Sequence, residues 1–135
     1  MNYEIEKKFV DDFILKNRRE RLFYELKNSK KRKHAIGRFC HTSLQYLDKT
    51  KIIVKSQMIT LQVIQEFIPV SDKIKWYLIS WDKELDGKMY ETDKAINIVM
   101  NSGMASIMVC GNYAIIREEQ VNGAPDIYIL SNGHR

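Results

Sequence analysis

The stretch Ala105-Ser-Ile-Met-Val-Cys110-Gly111-Asn112-Tyr113-Ala-Ile-Ile-Arg-Glu118 holds two apolar runs separated by a single turn pair. Short runs rich in Val, Ile and Tyr read as strands, and Gly111-Asn112 between them reads as a close turn. Downstream, residues 126–130 repeat the pattern after a second turn pair, Asn122-Gly123. Upstream, residues 91–102 set Ala95, Ile96, Val99 and Met100 at helical spacing, with Gly103 as a left-handed cap. Before that helix, residues 75–81 read as another strand and 82–88 as a turn-rich loop. This half is therefore β-α-β-β-β. A strand, a crossover helix and a second strand imply a parallel pair, whereas the two close turns imply antiparallel neighbours. A small mixed sheet is expected.

The preceding half reads as helices. Ile5, Phe9, Phe13 and Ile14 predict an amphipathic helix over 3–16, and Leu22, Phe23 and Leu26 a second short helix or its continuation. Ile36, Phe39, Cys40, Ser43, Leu44 and Leu47 form the clearest stripe, which Ser29 can cap. Gly37 inside that stripe costs about 1 kcal/mol relative to Ala. Ile52, Ile53 and Val54 suggest a short strand. Met58, Leu61, Ile64 and Phe67 or Ile68 give a helix that Pro69 stops. Each half has one apolar face and neither closes a core alone. The expected architecture is one α+β domain over 1–135, an N-terminal helical layer packed on a small mixed sheet, with a basic helical part at 1–56 and a mixed-sheet part at 57–135.

Positive charge is concentrated at one end of the chain. Residues 1–56 carry 15 Lys and Arg against 7 Asp and Glu, a net of +8, while 57–135 carry 7 against 10, a net of −3. Arg18, Arg19, Arg21, Lys30, Lys31, Arg32, Lys33 and Arg38 are the candidate phosphate-facing set, because Arg suits bidentate phosphate contact and adjacent helices can neutralise several phosphates. The competing reading is a solvated helix face kept soluble by its charge. RNA or another polyanion is the expected partner, recognised by structure and not by base identity. The alternative is a protein-binding module, of the immunity, antitoxin-like or adaptor kind, set against an acidic partner.

Other chemistry finds little support in the residues. Asp82-Lys-Glu84-Leu-Asp86-Gly87, with Asp93 twelfth, has the spacing of a calcium loop but follows a strand, and an Asp-Gly turn is the better reading. His34, His41 and His134 lack the paired spacing of a zinc site, so neither metal nor cofactor is expected. Cys40 and Cys110 lie far apart in apolar runs and read as buried, inert thiols, in keeping with a cytoplasmic protein. No catalytic set assembles with assigned roles, and only convergence of Asp82, Asp86, His41 and Cys110 in one cleft would change that. A membrane partner is excluded by the apolar stretches. The longest, at 96–110, is broken by Asn97, Asn101, Ser102 and Gly103, and residues 1–8 carry Glu4 and Glu6 in place of a secretory core.

Four stretches together resemble a family of uncharacterised bacterial proteins. They are Lys16-Asn-Arg-Arg-Glu-Arg21-Leu-Phe with Ser29-Lys-Lys-Arg-Lys33 and His41; Tyr77-Leu-Ile-Ser80 with Asp82 and Leu85-Asp86-Gly87-Lys88; Ser102-Gly103-Met104 leading through Ser106 to Cys110; and Ile127-Tyr128-Ile129-Leu130. The chain departs from the family pattern at Gly111-Asn112, where a Pro-Gly turn would be expected. The resemblance implies one cytoplasmic domain and brings no activity with it.

Overall fold

In the computed structural model, residues 1–71, 73–119 and 123–133 are described. The Asn2 side chain accepts a hydrogen bond from Ile5 N at 3.2 Å and so starts helix α1 (Tyr3–Phe13). Extended backbone at Ile14 ends α1, and α2 (Lys16–Lys27) follows as a separate helix. Asn28, not Ser29, shapes the next turn: its Oδ1 accepts from Lys30 N and its carbonyl from the amides of Lys31 and Arg32. Helix α3 (Arg32–His41) breaks at Thr42, leaving a single turn, α4 (Ser43–Tyr46), where one longer helix was expected. Phe13, Phe9, Phe39 and Tyr46 lock the layer together in that order, with successive ring centroids 5.5–6.0 Å apart.

A 3₁₀ turn at Lys49–Lys51 leads into β1 (Ile52–Ser56), and α5 (Leu61–Phe67), capped by the Thr60 hydroxyl, stops ahead of Pro69. Then come β2 (Lys75–Ser80), β3 (Met89–Glu91), α6 (Thr92–Asn101), β4 (Ser106–Cys110), β5 (Tyr113–Arg117) and β6 (Ile127–Ser131). Among the described residues the sheet has six strands in the order β1-β6-β5-β4-β2-β3. The α+β class holds.

Two expectations need correction. The sheet is antiparallel throughout, not mixed. Met89–Glu91 forms a short strand that turns back along β2, pairing Tyr77 with Met89 and Lys75 with Glu91, so the chain has already reversed before α6 begins. The crossover helix therefore joins β3 to β4, which run parallel to one another but lie on either side of β2. Secondly, helices cover both faces of the sheet. Tyr77, Ile79, Ile107, Val109, Ala114, Ile116, Tyr128 and Leu130 pack under α1 to α4. Trp76, Leu78, Met108, Ile115, Ile127 and Ile129 pack under α5 and α6. This is why the central strands read as continuous apolar runs: both sets of alternating side chains leave water.

The charge boundary at residue 56 does not divide the fold, because β1 pairs with β6 and forms one edge of the sheet. The turn at Asn122 lies outside the described residues. Among the described residues no helix is long and apolar enough to cross a membrane.

Candidate nucleic-acid interface

The basic segment folds into two environments. Arg32 is the exception among the eight candidate cations, because it is buried. It stands on the same stripe as Ala35, Ile36, Phe39 and Cys40, so the phase of α3 carries it inward. Its Nε and Nη2 donate to the two oxygens of Asp86 at 2.7 and 3.0 Å. Nη1 and Nη2 donate to the two oxygens of Glu6 at 2.6 and 2.7 Å, and Nη1 also reaches the Leu26 carbonyl at 3.0 Å. Every N–H of the guanidinium is thus used. Glu6 is fully buried and takes a further bond from the Tyr77 hydroxyl at 2.6 Å, while Asp86 accepts from Ser80 N at 3.0 Å.

Burial by itself would lower the Arg32 pKa. The hydrogen bonds to Asp86 and Glu6, with their charges, outweigh it and the net shift is upward. Tyr77 is shifted up by burial and by its bond to Glu6. This network fastens α1, α3, β2 and the 82–88 loop to one another, and Arg32 has no donor left for a phosphate. It also accounts for the Asp82 and Asp86 spacing: Asp82 Oδ1 accepts from Glu84 N at 2.9 Å to close a turn, and Asp86 faces the guanidinium.

Arg18, Arg21 and Arg38 are drawn together. They line a groove of about 370 Å³ with Asn17, Leu22, Glu25 and Tyr46. The Arg18 guanidinium sits 4.7 Å from the Tyr46 ring centroid. Glu25 holds Arg38 at 2.7 Å and Arg21 at 3.6 Å, which fixes two arginines from different helices on one carboxylate. Arg19 does not line that groove; it donates to the Ile14 carbonyl at 2.8 Å and lines the groove between α1 and α2, which Arg21 also borders. Lys30 is exposed, Lys31 lies 5.4 Å from the Tyr24 ring, and Lys33 Nζ stands 3.8 Å from the Trp81 ring.

Arg38 and Tyr46 also belong to a second cleft, of about 570 Å³, lined by His34, Gly37, His41, Thr42, Trp81, Gly103, Met104, Ala105 and Glu119. His34, Gly37, Arg38 and His41 follow i, i+3, i+4, i+7 spacing along α3 and form one wall. Trp81 stands beside Gly37, where an added Cβ would come within 3.5 Å of the indole. Arg117, buried on the far side, secures the floor by donating from Nη1 to the Met104 carbonyl at 2.8 Å. Its burial lowers its pKa, and its Nε has no partner among the described residues. His41 Nδ1 is 3.2 Å from Glu119.

Trp81, Tyr46, His34 and Glu119 were not among the residues expected to form an interface. The spacing of His34, Gly37, Arg38 and His41 was a legible signal, but Trp81 and Glu119 come from distant segments that local pattern does not join to α3.

Asp82, Asp86, His41 and Cys110 do not share a cleft. Asp86 is engaged by Arg32, His41 faces Glu119, and Cys110 lies at the far end of β4, roughly 13 Å from Ser106 at the strand rise. His134 lies outside the described residues. Among the described residues no three His, Cys, Asp or Glu side chains gather as metal ligands. Comparison with protein-family models, curated proteins and solved structures found no match to this chain.

Proposed function

We propose that this chain binds RNA along the continuous surface formed by the Arg18, Arg21 and Arg38 groove and the adjoining Trp81 cleft. The observation that carries the reading is the placement of exposed cations from α2 and α3 directly beside two aromatic side chains, Tyr46 and Trp81. Cations of this kind neutralise phosphates, and an aromatic face beside them gives unpaired bases a platform. Stacking one base is worth about 1–3 kcal/mol. An exposed cation–π contact is worth about 0.5–1 kcal/mol. A base can therefore take the ring face from Lys33 or Arg18 and release the cation to the backbone.

The test is binding of a labelled single-stranded RNA at about 50 and 200 mM salt. With Arg18, Arg21, Lys33 and Arg38 in contact, the log–log salt slope for a single strand is expected near −3, from roughly −0.7 per neutralised phosphate. The triple variant Arg18→Ala, Arg21→Ala, Arg38→Ala, made together with Glu25→Gln because the buried Glu25 carboxylate would otherwise lose both of its arginines, should retain its thermal transition and lose about three quarters of that slope. Arg32 is left in place, because its removal would test folding. Absence of binding by the wild type at about 50 mM salt, or equal binding by the triple variant, means that these cations are a solvated helix face.

A further inference from the structure

We infer that the cleft between α3 and Trp81 is a seat for one unstacked base of single-stranded RNA, a proposal that rests on the RNA reading above. The cleft volume of about 570 Å³ lies within the range of small-ligand sites. Its chemistry is that of a nucleotide. Trp81 is 38% exposed, whereas the other tryptophan, Trp76, is fully buried and donates its Nε1–H to Thr92. The indole is therefore an aromatic surface kept at the edge of the core, and its backbone is pinned by the bond from Trp81 N to the Ala105 carbonyl at 3.3 Å.

Gly37 gives the cleft its opening. Glycine in mid-helix is unfavourable, and here its missing side chain leaves the indole edge facing bare helix backbone. Donors surround the ring. The Arg38 side chain spends one Nη on Glu25 and makes no other hydrogen bond among the described residues, the His34 side chain makes none there, and Lys33 rests over the indole itself. These are groups for a phosphate and for acceptor atoms on a base edge. Glu119, beside His41, is the one carboxylate among the described residues of the lining. A duplex cannot offer a base to a cleft of this shape without unstacking it.

The experiment compares a single-stranded RNA 12-mer with its duplex at about 50 mM salt, reading anisotropy of the labelled RNA and tryptophan emission together. The single strand should quench emission in wild type but not in Trp81→Phe. Trp81→Ala should weaken single-strand binding by at least fivefold and leave duplex binding within twofold. Gly37→Leu, which fills the cleft and keeps the indole, should reproduce that selective loss with a thermal transition no lower than that of wild type. Single-strand binding without quenching, or an equal loss for both RNAs in either variant, overturns the base seat and leaves the RNA reading standing. Quenching by uridine or adenosine monophosphate as tight as that by the 12-mer overturns the strand assignment. Failure of wild type to bind either RNA overturns the function and the seat together.

Discussion

Replacing Arg32 by Met should be among the most damaging single changes this chain can suffer, although the residue sits in a run of lysines that reads as surface. Five hydrogen bonds vanish, four of them to carboxylates. The loss divides unequally. Asp86 is partly reachable by water and keeps its bond from Ser80 N, so it is not stranded. Glu6 has no exposure and keeps only the Tyr77 hydroxyl, so a buried carboxylate loses its counter-charge. Breaking a buried pair in this way costs about 3–5 kcal/mol. For 135 residues that corresponds to a fall in Tm of about 10–18 °C. The measurement is urea and thermal unfolding of wild type, Arg32→Met, and the double variant Arg32→Met with Glu6→Gln. The double variant should be more stable than Arg32→Met, because Gln still accepts from Tyr77 and carries no charge. Lys30→Ala, an exposed control, should stay within about 0.5 kcal/mol of wild type. A fall in Tm below about 3 °C for Arg32→Met, or a double variant weaker than the single, would refute the reasoning.

Glu118 is held above its ordinary pKa, chiefly by burial, although the Ser43 hydroxyl donates to it and pulls the other way. Its contribution to stability is thus present below the unfolded-state pKa and lost as pH rises through the folded value, so Glu118→Gln should gain stability relative to wild type between about pH 4 and 7; a flat difference across that range would sink the idea. Burial pushes both thiols up, and Cys40 is fully enclosed while Cys110 is half-buried, so a disulfide reagent at about pH 8 should modify Cys110 slowly and Cys40 only in denaturant. Native Cys40 reacting as a free thiol would contradict the packing. Gly103 has φ +74° with open space where a Cβ would go, so Gly103→Ala should cost about 1–2 kcal/mol from backbone strain alone, and an unchanged urea midpoint would show that the turn can relax.

Much of the fold was legible. The periodicity of Phe9 with Phe13, of Ile36 with Phe39 and Cys40, and of Ala95 with Ile96 and Val99 marked three helices, and the apolar runs at β2, β4, β5 and β6 marked strands. The proposed site was legible only in part. Arg18, Arg21, Lys33 and Arg38 were in the candidate set; Arg32 was included wrongly, although its offset of four from Ile36 placed it on the apolar stripe. Glu6 stands likewise three, four and seven residues before Phe9, Val10 and Phe13.

By itself the sequence determined the type of each longer element, the uneven charge and the left-handed stop at Gly103, because each depends on residues within one or two turns of chain. Only the tertiary structure decided that the sheet is antiparallel and covered on both faces, since a three-residue strand such as Met89–Glu91 exists by pairing with β2 and has almost no local signal. It also decided the use of each cation. Whether an arginine faces a buried carboxylate, as Arg32 does, or stands beside an aromatic ring, as Arg18 does, depends on side chains many residues away. Charge in a sequence has a sign and a spacing, but its partner is supplied by the fold.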